Sequence, residues 1–180
     1  MRVLFILCLG ACTTAPVAPK VAAGADPLAY WPLKDGQRLS FDVHSAGGKS
    51  ERKVRVKKRK NSWFQVGRGQ RLRHDGDGLF DGERYLIRRP LVVGASWHAI
   101  PRPGVIERFK VVRVDATCPP ELAKAKLCLA IEARQNMGDQ VLLTRWWYGK
   151  NIGLLQVEVF MQSKDGRLRR QSLLRRSGAS

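Results

Sequence analysis

Residues 153–162, GLLQVEVFMQ, decide the reading of the fold. In an extended chain Leu155, Val157, Val159 and Met161 fall on one side, and Gln156 and Glu158 on the other. A period of two is the signature of a strand with one buried face. The same alternation recurs upstream at Leu127, Leu129, Ile131 and Ala133, and at Val54 and Val56 between basic residues. Within residues 140–149, Val141, Leu143 and Trp147 share one side while Leu142, Trp146 and Tyr148 share the other. That segment is expected to be covered on both faces, as a central strand is.

Turn signals separate these runs. Asp165-Gly166 stands between residues 153–162 and a further strand over 167–174, and Asp-Gly tolerates the positive φ values of a type I′ hairpin turn. Ala46-Gly47-Gly48, Asn61, Asp75-Gly76-Asp77-Gly78, Asp81-Gly82 and Asn136-Met137-Gly138-Asp139 punctuate the remainder. Consecutive strands joined by short turns pair antiparallel, because parallel neighbours need long crossovers. The expectation is an all-β domain over residues 28–176. It should form one curved antiparallel sheet or a partly open barrel of about nine to eleven strands. At most one short helix is expected, at residues 119–126. Charges interrupt both faces of the strands, so they do not read as a lipid-facing barrel.

The amino terminus reads differently. Residues 1–12, MRVLFILCLGAC, place one positive charge, Arg2, before an apolar run from Val3 to Leu9 and the small residues Gly10 and Ala11. This is the layout of a secretory signal, and it is far shorter than the roughly 20 residues that span a hydrocarbon core. Leu9-Gly10-Ala11-Cys12 resembles the bacterial lipobox, which implies cleavage after residue 11 and acylation of the Cys12 thiol. Residues 13–27, TTAPVAPKVAAGADP, have little to bury and are expected to act as a tether. The organisation is thus a signal peptide over 1–11, a lipidated cysteine with tether over 12–27, and one domain over 28–176. Thr13 stands where enterobacterial lipoproteins retained at the inner membrane carry aspartate, so the resemblance implies the periplasmic side of the outer membrane.

About 150 residues remain to fold, enough for one domain with a real core. The chain has 33 basic and 15 acidic residues, a net charge of +18, and loss of Arg2 leaves +17. Such an excess favours anionic partners through its long-range field. Export removes nucleic acid from consideration, leaving lipopolysaccharide phosphates, anionic lipids, envelope polymers and acidic proteins. Of the four cysteines, Cys8 lies in the signal and Cys12 takes lipid, which leaves Cys118 and Cys128. In an oxidising compartment such a pair is read as a disulfide. Its closure entropy corresponds to roughly 3 kcal/mol. With no histidine nearby, the two thiols lack the ligands for tetrahedral zinc.

Three motifs carry a further resemblance: Tyr30-Trp31-Pro32-Leu33-Lys34-Asp35-Gly36, Arg89-Pro90-Leu91-Val92-Val93-Gly94-Ala95-Ser96-Trp97, and Trp147-Tyr148-Gly149-Lys150-Asn151-Ile152-Gly153-Leu154-Leu155. Together they resemble a group of small lipoproteins of Gram-negative bacteria with a Y-[FW]-P-L-x-x-G opening and a W-Y-x-x-x-[VI]-G-L hairpin. Leu39 stands where that pattern has tryptophan, and Gly149 where it has alanine. The resemblance implies a β-rich envelope lipoprotein and assigns no catalytic residue.

The basic run at 49–60, KSERKVRVKKRK, is the candidate binding element. With Val54 and Val56 inward, Lys53, Arg55 and Lys57 point outward, and Lys58, Arg59 and Lys60 continue the charge. Arginine offers bidentate contacts to phosphate or carboxylate and lysine a point charge. The same pattern also fits an edge strand kept from aggregating by lysines, and the sequence leaves both readings open. A second basic cluster, Arg167, Arg169, Arg170, Arg175 and Arg176, is read as a possible solvated tail. Trp31, Trp63, Trp97, Trp146 and Trp147 suit either a core or a ligand cavity. His44, His74 and His98 are scattered, and the His74 to Asp81 stretch lacks the glutamate that ends an EF-hand loop. A turn is expected there, with no metal, no cofactor and no catalytic residue.

The function expected is that of a non-enzymatic binding or accessory module, anchored to the membrane, for an anionic envelope partner. The alternatives are a half-barrel carrier for a hydrophobic ligand, or a subunit of an envelope complex.

Overall fold

The computed structural model describes residues 24–122 and 124–177. The signal peptide over 1–11, Cys12 and most of the expected tether lie outside the described residues. The strands are β1 (Arg38–Ser45), β2 (Gly48–Lys58), β3 (Trp63–Val66), β4 (Gln70–His74), β5 (Gly78–Phe80) and β6 (Tyr85–Arg88). They continue as β7 (Ser96–Arg102), β8 (Val105–Thr117), β9 (Leu127–Met137), β10 (Gln140–Gly149), β11 (Gly153–Gln162) and β12 (Leu168–Arg176). All twelve form one antiparallel sheet in the order β6-β5-β4-β3-β2-β1-β12-β11-β10-β9-β8-β7. Two meanders, β1 to β6 and β7 to β12, are therefore joined where the first and last strands pair. The sheet curls until its edges approach. Across the seam the Trp97 indole N–H donates to the Tyr85 carbonyl at 2.9 Å, and the Arg84 guanidinium bridges Asp81 and Glu107. The all-β reading holds as a nearly closed barrel. The strand count exceeds the expected range because β3 to β6 are only three to five residues long, too short to show alternation. Residues 119–126 hold a 3-10 turn at Pro120–Leu122.

The core is double. Inside the barrel Phe41, Val56, Leu72, Phe109, Ile131 and Tyr148 are buried together. Leu129, Ile131 and Ala133 of β9 face this interior as their alternation predicts. A second cluster lies outside the sheet, where Cys118, Leu122, Ala125, Cys128, Trp147 and Leu155 pack. Cys118 and Cys128 are bonded, with Cα atoms 5.1 Å apart. Strand β10 is accordingly covered on both faces, by Tyr148 within and Trp147 without. A Cβ on Gly149 would stand 2.6 Å from the Ala125 Cβ, so the glycine makes room for the disulfide loop.

Three expectations need correction. Leu155 does not share a face with Val157, Val159 and Met161: Trp147 pairs with Gln156 and Tyr148 with Leu154, which makes Leu155 the extra residue of a bulge. A bulge shifts the phase of alternation by one, and Leu155 turns outward into the disulfide cluster. The β11–β12 hairpin forms, but residues 163–167 link the strands and only Gly166 among them has a positive φ, +84°, so the turn is not type I′. Residues 24–27, expected in the tether, engage the body instead: Gly24 lies against the Leu91 backbone and Asp26 pairs with Arg89 at 3.0 Å.

Residues 24–34 close one end of the barrel. The Asp26 carboxylate accepts from the Leu28 amide at 3.2 Å and caps a 3-10 turn at Pro27–Tyr30, after which Tyr30 and Trp31 are buried. The Tyr30 hydroxyl donates to the Asp115 carboxylate at 2.9 Å and accepts from the Asp115 amide at 3.1 Å. Lys150 pairs with the same carboxylate at 2.7 Å. The lysine hydrogen bond, ahead of the opposing effect of burial, holds the Asp115 carboxyl below its usual range.

Candidate anion-binding wall

Strand β2 is where the basic run sits, and the burial follows the expected alternation: Val56 is fully buried, Val54 half-buried, and Lys53, Arg55 and Lys57 are exposed. The strand is an edge over part of its length only. It pairs with β1 through Arg55 and with β3 from Val56 onward, so the sheet turns a corner on it. Up to Val54 the side of β2 away from β1 has no ladder partner among the described residues, so the edge-protection reading still fits Lys49 and Lys53 there, whereas from Val56 onward β3 occupies that side.

Register brings further cations onto the same outer face. Directly opposed residues of antiparallel strands share a face. Arg38 opposes Arg55, and Ser40 opposes Lys53. On the other side Lys57 opposes Gln65, which opposes Arg71. Arg73 opposes Trp63, and the guanidinium groups of Arg71 and Arg73 lie 5.6 Å and 5.0 Å from the Trp63 ring centre. Such stacking over a ring face is worth about 0.5–1 kcal/mol at an exposed site, and here it holds two arginines in place. The wall thus runs over four strands. Arg38, Arg71, Arg73 and Trp63 belong to it, and no spacing in the sequence shows that, because only strand pairing makes them neighbours of β2.

Compensation within the wall is sparse. Lys53 pairs with Glu51 at 3.1 Å and Arg73 with Asp75 at 3.5 Å. Among the described residues, Arg38, Arg55, Lys57, Lys58, Arg59, Lys60 and Arg71 have no carboxylate within 4 Å. Arg59 donates instead to the Gln65 side-chain oxygen, at 3.0 Å from Nε. Lys58 contributes its amide to the Asp35 carboxylate at 2.8 Å, and that bond is the main reason the Asp35 carboxyl sits below its usual range. The six candidates Lys53, Arg55, Lys57, Lys58, Arg59 and Lys60 therefore do not form one cluster. The first three line the outer face, whereas Lys58 to Lys60 lead into the β2–β3 turn.

The other candidates fall elsewhere. Arg167 to Arg176 are not a solvated tail: most of them lie on β12, paired between β1 and β11, where Arg175 donates to Gln156 and Arg170 faces Glu158 at 3.6 Å. Asp75 serves its turn, accepting from the amides of Asp77 and Gly78 and from the Tyr85 hydroxyl. Burial raises its pKa, but those hydrogen bonds prevail and leave it lowered. The His74 ring donates to the Trp31 carbonyl at 2.7 Å. Among the described residues no group of three or more His, Cys, Asp and Glu side chains is placed to hold a metal ion. No helix of the described residues is long and apolar enough to cross a membrane.

No protein-family model and no curated protein matches the chain. Two crystal structures are similar. One is described as an exported protein with a YmcC-like fold from Bacteroides fragilis, 14% identical, covering 82% of this chain and 96% of the other at a TM-score of 0.42. The second is described as a lipoprotein from Parabacteroides distasonis, 12% identical over the same shares at a TM-score of 0.34.

Proposed function

We propose that this chain is an envelope lipoprotein, acylated at Cys12 and held at the periplasmic side of the outer membrane, that binds an anionic envelope partner on the outer wall of β1 to β4. It belongs on this reading with the small Gram-negative lipoproteins that its three motifs resemble, and it works by binding, not by catalysis. The observation that carries the binding role is the wall itself: exposed cations from three strands stand on one face with few carboxylates to neutralise them. A protein gains nothing in stability by assembling like charges. A polyanion laid across such a face gains from each of them, and long-range attraction also speeds its encounter.

The partner class is phosphate- or carboxylate-bearing polymer or lipid, lipopolysaccharide being the nearest to hand at that membrane. The test holds the full-length mature protein in phosphatidylcholine nanodiscs and titrates purified lipopolysaccharide. Binding should weaken on the order of tenfold when Lys53, Arg55 and Lys57 all become Glu, and should weaken steeply with salt. Equal affinity of the variant and the wild type would overturn the assignment of the wall. The anchor is tested separately: a palmitate analogue fed to cells should label the protein and leave a Cys12→Ala variant unlabelled.

A further inference from the structure

Inside the barrel, on the opposite face of the same strands, lies a cavity of about 170 Å³. Leu39, Phe41 and Val54 line it from β1 and β2, Trp146, Val157 and Leu174 from β10 to β12, and Trp31 of the amino-terminal segment closes it. Three polar side chains reach it, those of Arg52, Gln70 and Arg84. Arg52 and Gln70 are exposed and Arg84 is partly so, so the cavity is entered from their side. That is the end opposite residues 24–34. A second cavity of about 260 Å³ adjoins it, sharing Arg84, Trp146 and Val157.

The two arginines differ. Arg84 is spoken for by Asp81 and Glu107, whereas Arg52, among the described residues, has no carboxylate within 4 Å. An apolar pocket with one uncompensated cation at its entrance is complementary to a molecule with an apolar body and one negative charge. Size narrows the class. A dry cavity of about 150 Å³ lined by aliphatic and aromatic groups takes up benzene. We propose that this cavity binds a small carboxylate whose apolar body is near the size of a benzene ring, with the carboxylate received by the Arg52 guanidinium. The site is independent of the outer wall, and the first cavity by itself matches a small ligand.

The probe is 3-phenylpropanoate, titrated calorimetrically into the full-length protein in phosphatidylcholine nanodiscs, with empty nanodiscs as the blank and tryptophan emission followed in parallel. Saturable binding is expected, with a change in emission because Trp31 and Trp146 both line the cavity. The neutral amide of the same acid, and the acid with Arg52→Gln, should each bind on the order of tenfold more weakly. Leu39→Trp, which fills the cavity, should abolish binding of both. Arg52 is exposed, so its replacement leaves the fold intact and serves if Leu39→Trp fails to fold. Absence of saturable binding to the wild type, or equal binding of acid and amide, or an Arg52→Gln variant with wild-type affinity would each overturn the proposal.

Discussion

The two meanders of the sheet are built to different standards. Strands β8 to β12 run nine to thirteen residues each, and over part of their length they are covered on both faces, by the barrel interior and by the disulfide cluster. Two of their arginines are answered, Arg145 by Glu132 at 2.6 Å and Arg170 by Glu158 at 3.6 Å, whereas Arg108, Lys110 and Arg134 are exposed with no carboxylate within 4 Å among the described residues. Strands β3 to β6 run three to five residues, and the outer face they share with β1 and β2 carries the cationic wall. Stability is concentrated in the carboxyl-terminal meander. The amino-terminal one is left with an outer face free to bear the cationic wall, the proposed binding surface. If that division is correct, substitutions in the first region damage the fold, and substitutions in the wall damage binding alone.

The largest effect is expected from the disulfide. Replacing Cys118 and Cys128 by serine should lower the unfolding free energy by about 2–5 kcal/mol, read as a shift of the denaturant midpoint. Next comes Gly149→Ala, whose methyl group would collide with Ala125; overpacking of this kind costs about 1–3 kcal/mol. The paired change Ala125→Gly should restore most of the loss, and a double variant no more stable than Gly149→Ala would disprove the close contact. Tyr30→Phe removes the hydroxyl that both donates to and accepts from Asp115, at an expected cost of about 1–2 kcal/mol. Burial first, then the hydrogen bond to Asp115, pushes the Tyr30 phenol up to about 12. Because the folded value lies above the unfolded one of about 10, its contribution is complete below pH 10 and is lost as the pH rises through 12. Wild-type unfolding followed across that interval should show the loss, and Tyr30→Phe should show less of it. The smallest effect on stability is expected in the wall, where charge reversal of Lys53, Arg55 and Lys57 should stay within about 0.5 kcal/mol.

The same contrast explains what could be read in the sequence. Long strands with one or two clean faces, such as β9 and β10, declare themselves by period two, and the cysteine pair declared its bridge. The bulge at Leu155 did not, because the phase shift is imposed by how β11 pairs with β10 and leaves a hydrophobic residue equally at home on either face. Strands β3 to β6 were visible only through the turns between them. Lys53, Arg55 and Lys57 were legible as one face of one strand. Arg38 and Arg71 were not, since their place beside that face depends on register between segments that no local pattern fixes. The role of residues 24–27 was also hidden: their composition suits a tether, yet Asp26 finds Arg89, far off in the chain.

Two matched arginine pairs allow the wall to be tested against charge alone. Arg38 opposes Arg55 across β1 and β2, and Arg108 opposes Arg134 across β8 and β9; all four are exposed. Reversing either pair to glutamate changes the net charge equally. Affinity for lipopolysaccharide, measured over a range of salt concentrations, should collapse for Arg38→Glu/Arg55→Glu and keep its wild-type strength and salt dependence for Arg108→Glu/Arg134→Glu. Equal losses in the two variants would mean that the protein's overall charge, and not this face, attracts the partner.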